Sequence, residues 1–247
     1  MNRGRLSRYA LYQMRDYVME RGFPALLIGV LVGWTTLLEL RAQYGMSWLE
    51  RPEAMALSET FLQRAVFGQF AFLGILISVS GIVANDRRHG FFRLLFAKPV
   101  SAVRFYLQSF VVAGLGLLTV SAALLLLWGY VALPVAPWGT MRALAFYYLL
   151  VGATAFLMSS LVRWDWVATG VVWGGSMILR AVYQRDSGVM AWIVKHFTAP
   201  THIVEAMRDQ FYRGVMPQTS YLAWAFAYAT ACIVGALLIV RYRPMAQ

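Results

Sequence analysis

The side chains that most often carry chemistry are few in this sequence, and their spacing does not assemble a catalytic or metal centre. The three histidines are His89, His196 and His202, and the last two lie six residues apart. Two metal ligands on one helical face need a spacing of about four residues, so this pair does not predict a helical metal site. The one cysteine, Cys232, lies in an apolar run, which excludes an intrachain disulfide and a cysteine metal cluster.

The sequence also lacks the motifs of common hydrolases and nucleotide-binding proteins. It contains no Gly-x-Ser-x-Gly turn for a nucleophilic serine and no Gly-x-x-x-x-Gly-Lys-Ser/Thr loop for a phosphate group. A membrane enzyme is therefore disfavoured. Any ATP-driven work by this chain needs another subunit to bind the nucleotide.

Composition places the chain in a bilayer. Its 247 residues are 60% hydrophobic and 13% charged, with a net charge of +11. Soluble domains carry about 25% charged residues, and large exposed apolar patches aggregate in water. In a membrane protein, excess Lys and Arg are explained by basic cytoplasmic loops, so the positive charge does not predict a nucleic-acid partner.

The hydrophobic segments predict an all-α polytopic fold. About 20 apolar residues are needed for one helical crossing. Six segments meet this length approximately: Phe23–Leu40, Val66–Ala84, Ser109–Leu133, Ala143–Val162, Trp166–Val182 and Tyr221–Val240. We therefore expect a cytoplasmic interfacial helix over residues 1–22 and a single six-helix transmembrane domain over 23–247.

The distribution of charge predicts the orientation. With the N-terminus inside, the inner segments hold 13 Lys and Arg and the outer segments hold 9. This bias places both termini in the cytoplasm. The charges within the spans, Glu39 and Arg180, lie near their outer ends, where long side chains reach the head groups. The lack of charge at the span centres disfavours ion pumps, proton-coupled transporters and voltage sensors.

Three segments between or before the spans have amphipathic patterns. Residues 3–20 predict a helix that lies in the inner membrane interface. The inner loop, 85–108, combines basic residues with an apolar cluster around Phe91–Phe96, and a short helix ending at Pro99 would need a surface to bury that cluster. This surface is another protein or the head-group region. On the outer side, Pro200 and Thr201 begin a predicted helix that lies on or dips into the outer leaflet.

These segments resemble a known family of transporter subunits. The motifs that carry the resemblance are the basic N-terminal helix, the inner run Asn85-Asp86-Arg87-Arg88-His89-Gly90 with Leu94-Leu95-x-x-Lys98-Pro99-Val100-Ser101, and the outer run Ala199-Pro200-Thr201-His202 with Tyr212-Arg213-Gly214-Val215 and Tyr221. The chain is similar to the permease subunit of ATP-binding-cassette (ABC) exporters, in the small six-span type-2 class that includes gliding-motility and copper-maturation permeases. Asp86 stands where that family usually has Glu, and Gln108 where it has Lys.

The resemblance implies a function and a set of partners. The chain would form the translocation path as a homodimer, or with a related permease, in the bacterial inner membrane. The inner loop would be a coupling helix that docks on a separate ATPase subunit, and that subunit would bind ATP and Mg²⁺, so this chain would need no cofactor of its own. The docking residues would be Asp86, Arg87, Arg88, Gly90, Phe91, Phe92, Leu94 and Leu95. A path between the two permeases would be lined by spans one, two and five, where glycines would permit close helix contact: Gly29, Gly33, Gly170, Gly174 and Gly175.

The sequence leaves one alternative function open. The same helical bundle would also suit a structural or assembly subunit of another membrane complex, which does not transport. Neither the composition nor the motifs identify a substrate.

Overall fold

Helices account for nearly all of the computed structural model, which describes residues 11–44, 70–89, 101–131, 137–183, 188–212 and 217–242. No strand occurs within these ranges. In chain order the helices are α1 (11–44, with a wider π-type turn at Val18–Gly22), α2 (Ala71–Val79), α3 (Ala84–His89), α4 (Ala102–Val131), α5 (137–161, with a π-type turn at Tyr148–Gly152), α6 (Asp165–Tyr183), α7 (Val189–Phe197), α8 (Thr201–Tyr212) and α9 (Thr219–Tyr242). The all-α prediction is confirmed for the described residues.

Four of the described helices are long and apolar enough to cross a membrane. They are Leu11–Glu39, Ala102–Tyr130, Trp138–Leu161 and Thr219–Tyr242. They overlap the first, third, fourth and sixth predicted spans and are compatible with a multi-pass membrane protein. Length and hydropathy do not confirm the predicted count of six, because the apolar stretch Ala71–Asp86 is shorter and α6 is not among these four helices.

Two predicted boundaries differ from the structure. The segment Val66–Ala84 is not one continuous helix in its described part, since α2 ends at Val79 and a turn over residues 80–83 precedes α3. At the other boundary, α1 continues through residue 22 without a break, so the described part of the predicted interfacial segment is joined directly to the first apolar span. Residues 1–10 of that segment lie outside the described ranges.

The chain divides into two compact units, the first formed by Met1–Ser78 with Val111–Ala145 and the second by Val79–Phe110 with Phe146–Gln247. In the first unit, α1 and α4 pack closely where glycines of α1 meet large side chains of α4. Gly29 lies against Leu124, and Gly33 lies against Trp128 so closely that a Cβ would overlap the indole ring. The residue numbers of the contacting pairs increase in step along both helices, so α1 and α4 run parallel.

Helix α2 runs antiparallel to α1 in the same unit. Phe70 lies beside Gly29, while Ser78, eight residues later, shares a hydrogen bond of 2.5 Å with the Tyr17 hydroxyl. The Arg21 guanidinium donates to the Ser78 carbonyl at 2.5 Å. One basic side chain of the amphipathic segment thus satisfies a carbonyl near the end of α2, which α2 itself leaves without an intrahelical donor.

The second unit is built around α5 and α9. A buried cluster of Ala153, Ala229 and Cys232 lies between them, so the cysteine packs as a small buried side chain. Thr154 shares a hydrogen bond of 3.1 Å with Tyr228, and Leu157 packs on Gly235. These pairs also advance together, so α5 and α9 run parallel. Residues 162–164 join α5 to α6 in a tight turn, and α6 consequently runs antiparallel to α5.

Candidate functional site

The turn over residues 80–83 lies inside the second unit and interrupts an otherwise apolar helical segment. Gly81 has a φ of +77°, a conformation that side-chain-bearing residues rarely adopt, and a Cβ there would meet the Asn85 side chain. The backbone around it is buried, with Val83 fully covered. Buried N–H groups need hydrogen-bond acceptors, and a break in a helix removes the usual ones.

Asp165 supplies acceptors for the first half of this turn. Its carboxylate accepts the Gly81 N–H at 2.6 Å through Oδ2 and the Ser80 hydroxyl at 2.9 Å through Oδ1. The Trp166 N–H donates to Oδ1 at 2.9 Å. Asp165 is only 3% exposed and is the first residue of α6, where the helix dipole favours a negative charge.

Ser159, near the end of α5, supplies the acceptor for the second half of the turn. Its Oγ accepts the N–H groups of Val83 and Ala84, each at 3.2 Å. Ala84 is the first residue of α3, so a side chain from another helix caps the start of α3. The end of α5 and the start of α6, through Ser159 and Asp165, therefore fix the position at which α3 begins.

A further hydrogen bond ties α3 to the beginning of α4. The Tyr106 hydroxyl donates to Asp86 Oδ2 at 3.0 Å, and the Tyr106 ring is fully buried. Ser101 stands immediately before α4, and its carbonyl accepts the Phe105 N–H at 3.0 Å, which is the first hydrogen bond of that helix. Both flanks of the predicted docking loop are thus anchored within the second unit. We call this set the junction: residues 80–84, Asp86, Tyr106, Ser159 and Asp165.

The predicted docking residues fall partly within the described chain. Asp86 lies in the junction, and Arg87 and Arg88 lie in helix α3. The other five lie outside the described residues: Gly90, Phe91, Phe92, Leu94 and Leu95. Their proposed role in docking remains a prediction.

Sequence reasoning missed the residues that hold the junction together. Nothing about Asp165 in the sequence marks it as a buried side chain, whereas in the structure its carboxylate is buried against backbone donors. One signal of the break was available in the sequence, since the Ser80-Gly81 pair interrupts an apolar run and such pairs are common at helix kinks. Nothing in the sequence paired this break with Asp165, 84 positions away.

The outer motif forms a second anchored segment in the same unit. Helix α8 begins at Thr201, as predicted, and the His202 ring meets the Tyr221 ring edge to face at 6.5 Å between centroids. The Ala199 N–H donates to Ser176 Oγ on α6 at 3.0 Å. The structure therefore brings together His202 and Tyr221, which the sequence motif links across 19 positions. Residues 213–216 of the motif lie outside the described ranges.

The five glycines proposed to line a path divide into two groups. Gly29 and Gly33 are occupied by α4 of the same chain, which makes them internal packing sites. At Gly170, Gly174 and Gly175 on α6, a Cβ would meet no heavy atom of the described residues within 4 Å. Val171 and Ile178 on this helix are exposed. An open apolar surface on α6 is therefore available to lipid or to another chain.

The described residues contain no group of three or more His, Cys, Asp or Glu that could hold a metal ion. Comparison of the whole chain with protein-family models, curated proteins and solved structures found no significant match in any of the three. Functional inference therefore depends on the residues and contacts of the chain itself.

Proposed function

We propose that this chain is the membrane-spanning permease subunit of an ATP-driven ABC exporter. It spans the bacterial inner membrane six times with both termini in the cytoplasm. It forms a translocation path with a second permease copy and receives mechanical work from a separate ATPase subunit that binds ATP and Mg²⁺. The observation that carries this proposal is the junction, because it links the flanks of the docking loop to the membrane helices by direct hydrogen bonds.

Helix directions support six crossings in place of four. In the first unit α1 and α4 run parallel, so two crossings in the same direction require the chain to return through the membrane between them. Helix α2 is antiparallel to both and lies on the intervening segment. A four-span arrangement of α1, α4, α5 and α9 would instead make α1 and α4 antiparallel.

Helix directions in the second unit also require a return crossing. Helices α5 and α9 run parallel, so the segment between them must also return across the membrane. Helix α6 is antiparallel to α5 and has 19 residues, which corresponds to about 28 Å and nearly matches the hydrocarbon thickness. The Asp165 charge at its first residue is stabilised by hydrogen bonds from Ser80 and Gly81.

The junction provides a route for force. A partner that pulls on residues 90–100 pulls on α3, whose first N–H groups are bonded to Ser159 on α5 and whose preceding turn is bonded to Asp165 on α6. Asp86 passes the same displacement to α4 through Tyr106. Packed helices respond to such displacements by small rigid shifts, which is how domain motions are transmitted in many switching proteins.

In this proposal the second permease copy packs against the open surface of α6. Small residues at Gly170 and Gly174, four positions apart, allow two membrane helices to approach closely. Gly29 and Gly33 no longer support a path lining, because α4 already fills the space beside them.

Docking is tested by disrupting the apolar part of the loop. We expect Phe92→Asp or Leu94→Asp to abolish co-purification of the ATPase subunit while the permease still elutes as a folded membrane protein, because a carboxylate in an apolar interface is not compensated. The matched controls are Phe92→Tyr and Leu94→Met, which keep the apolar surface. Stoichiometric co-purification of a functional ATPase with the Asp variants would refute the docking assignment. Failure of the wild-type chain to retain any ATPase would favour the non-transporting structural subunit.

Topology is tested by cysteine accessibility in a Cys232→Ser background. With six spans, a membrane-impermeant maleimide added to intact cells labels Ser187→Cys but neither Ala97→Cys nor Trp164→Cys until the membrane is opened. With the four helices α1, α4, α5 and α9 alone, all three positions lie outside and all three are labelled. Labelling of Trp164→Cys in intact cells would therefore exclude α6 as a span.

A further inference from the structure

A shallow apolar groove lies between the last turns of α5 and α9 in the second unit. It has a volume of about 480 Å³ and is lined by Leu161, Leu238, Ile239 and Tyr242. The two leucines and the tyrosine are exposed, so the groove opens outward from the helix pair. Its size is within the range of about 300–1,000 Å³ that is usual for small-molecule sites.

Positive charge flanks this groove. The Arg241 guanidinium lies 5.3 Å from the centre of the Tyr242 ring, and Tyr242 forms part of the lining. Arg163 follows Leu161 by two residues and is exposed in the turn after α5. Asp165, the nearby acid in that turn, directs its carboxylate to Ser80 and Gly81.

Aromatic residues mark the same end of the helix pair as a membrane interface. Trp164 and Trp166 are 69% and 55% exposed, and Tyr242 is 70% exposed. Tryptophan and tyrosine favour this depth because the ring is apolar and the N–H or O–H can reach water. An apolar groove at that depth offers a surface for an acyl chain on its hydrocarbon side. The guanidinium groups beside it offer a binding site for an anion on its head-group side.

We propose that this groove binds an anionic phospholipid. One acyl chain lies along Leu161 and Leu238, and the phosphate group is held by Arg163 and Arg241. Basic sites between membrane helices at the cytoplasmic surface are suited to anionic head groups. The groove is confined to the final turn of each helix, a length of about 5 Å, which is too short for a partner helix to pack along but sufficient for the part of one acyl chain nearest the head group. The assignment to the inner leaflet rests on the proposed orientation, whereas the binding itself does not.

The test is lipid binding by the purified full-length chain, without any ATPase. Native mass spectrometry would follow titration with phosphatidylglycerol and with phosphatidylcholine of the same acyl length. We expect the wild-type chain to favour phosphatidylglycerol, and Arg163→Gln and Arg241→Gln each to weaken its binding about fivefold, since one basic side chain near anionic lipid contributes a factor of that order. The matched charge control is Arg104→Gln, which removes an exposed arginine from the start of α4 and should change binding less than about twofold.

A second variant separates a lipid site from a phosphate site. Leu238→Trp fills the groove without changing charge and should reduce phosphatidylglycerol binding at least as much as loss of one arginine. Leu126→Trp, at another exposed leucine, is its size control and should have no effect. Equal binding of the two lipids, equal effects of Arg104→Gln and Arg241→Gln, or unchanged binding by Leu238→Trp would each overturn the proposal. A change in oligomeric state on Leu238→Trp would instead identify the groove as a protein interface and would also overturn it.

Discussion

Replacing Asp165 by asparagine tests whether the junction holds α3 in place. The substitution keeps the size of the side chain and removes its charge. In the native chain the two carboxylate oxygens accept three hydrogen bonds, from Ser80, Gly81 and Trp166. An amide has one accepting oxygen, and its NH₂ group cannot accept from a backbone N–H.

The geometry sets the size of the effect. If the amide oxygen faces Gly81, the NH₂ group faces the Trp166 N–H; if the side chain is flipped, the NH₂ group faces the Gly81 N–H. Ser80 can adjust in either case, because a hydroxyl also accepts. Either the buried Gly81 N–H loses its acceptor, or it keeps a neutral acceptor in place of the charged one while the Trp166 N–H loses its own; each change costs about 1–3 kcal/mol. A cost of about 2 kcal/mol corresponds to about thirtyfold more opening of the turn.

Hydrogen exchange measures this opening directly, without requiring reversible unfolding of the whole membrane protein. We expect Asp165→Asn to accelerate exchange of the Gly81, Val83 and Ala84 amides about thirtyfold, while amides in the middle of α9 keep their protection. Asp16→Asn, at an exposed carboxylate on α1, is the matched control and should leave all of these rates unchanged. If exchange over residues 81–84 in Asp165→Asn stays within twofold of the wild-type rate, the carboxylate does not hold the turn and the proposed route for force is wrong.

Three further substitutions test the packing of α1 and α4, the open surface of α6 and the outer segment. Gly33→Ala should lower the unfolding temperature in detergent, because its Cβ overlaps Trp128 at a cost of about 1–3 kcal/mol. Gly174→Ala should leave that temperature unchanged and weaken self-association in cross-linking assays. Equal unfolding temperatures for the two variants would contradict the packing described for α1 and α4. Ser176→Ala removes the acceptor for the buried Ala199 N–H. Proteolysis or hydrogen exchange around residues 198–203 should therefore accelerate by about tenfold relative to a variant at an exposed serine. Unchanged protection of these residues would show that Ser176 does not anchor this segment.

Much of the helical architecture was predictable because hydrophobic length is a local property. The helices at 102–131, 137–161 and 219–242 were anticipated from composition within a few residues at most ends. The beginning of α8 at Thr201 followed from Pro200, which ends one segment and favours the first turn of the next. These features depend on residues close together in the sequence, so no knowledge of the tertiary structure was required.

The junction was not predictable in the same way, because its energetics depend on pairs that are distant in sequence. Asp165 is indistinguishable from a solvated loop acid until Gly81 is known to lie 2.6 Å from its Oδ2 atom. The pattern at Val66–Ala84 favoured an unbroken span, since hydropathy does not register the cost of unsatisfied N–H groups at a turn. Those N–H groups are satisfied by Asp165 and Ser159, on two other helices.

The buried carboxylate lies at the start of a helix, and this position suits the proposed coupling in a chain whose predicted spans carry no charge at their centres. A carboxylate in the hydrocarbon centre would need several kcal/mol of compensation, with few donors nearby. At the start of α6 the donors are present because a helix beginning exposes N–H groups, and the break after α2 exposes more. The break in one helix and the charge at the start of another therefore compensate each other.

Removing either the Ser80 hydroxyl or the Asp165 charge should weaken the hydrogen bonds made by the other residue. Ser80→Ala and Asp165→Asn should therefore be non-additive in a double-mutant cycle of hydrogen-exchange rates. Strict additivity would mean that the two sites act independently and that the break is held by Ser159 alone.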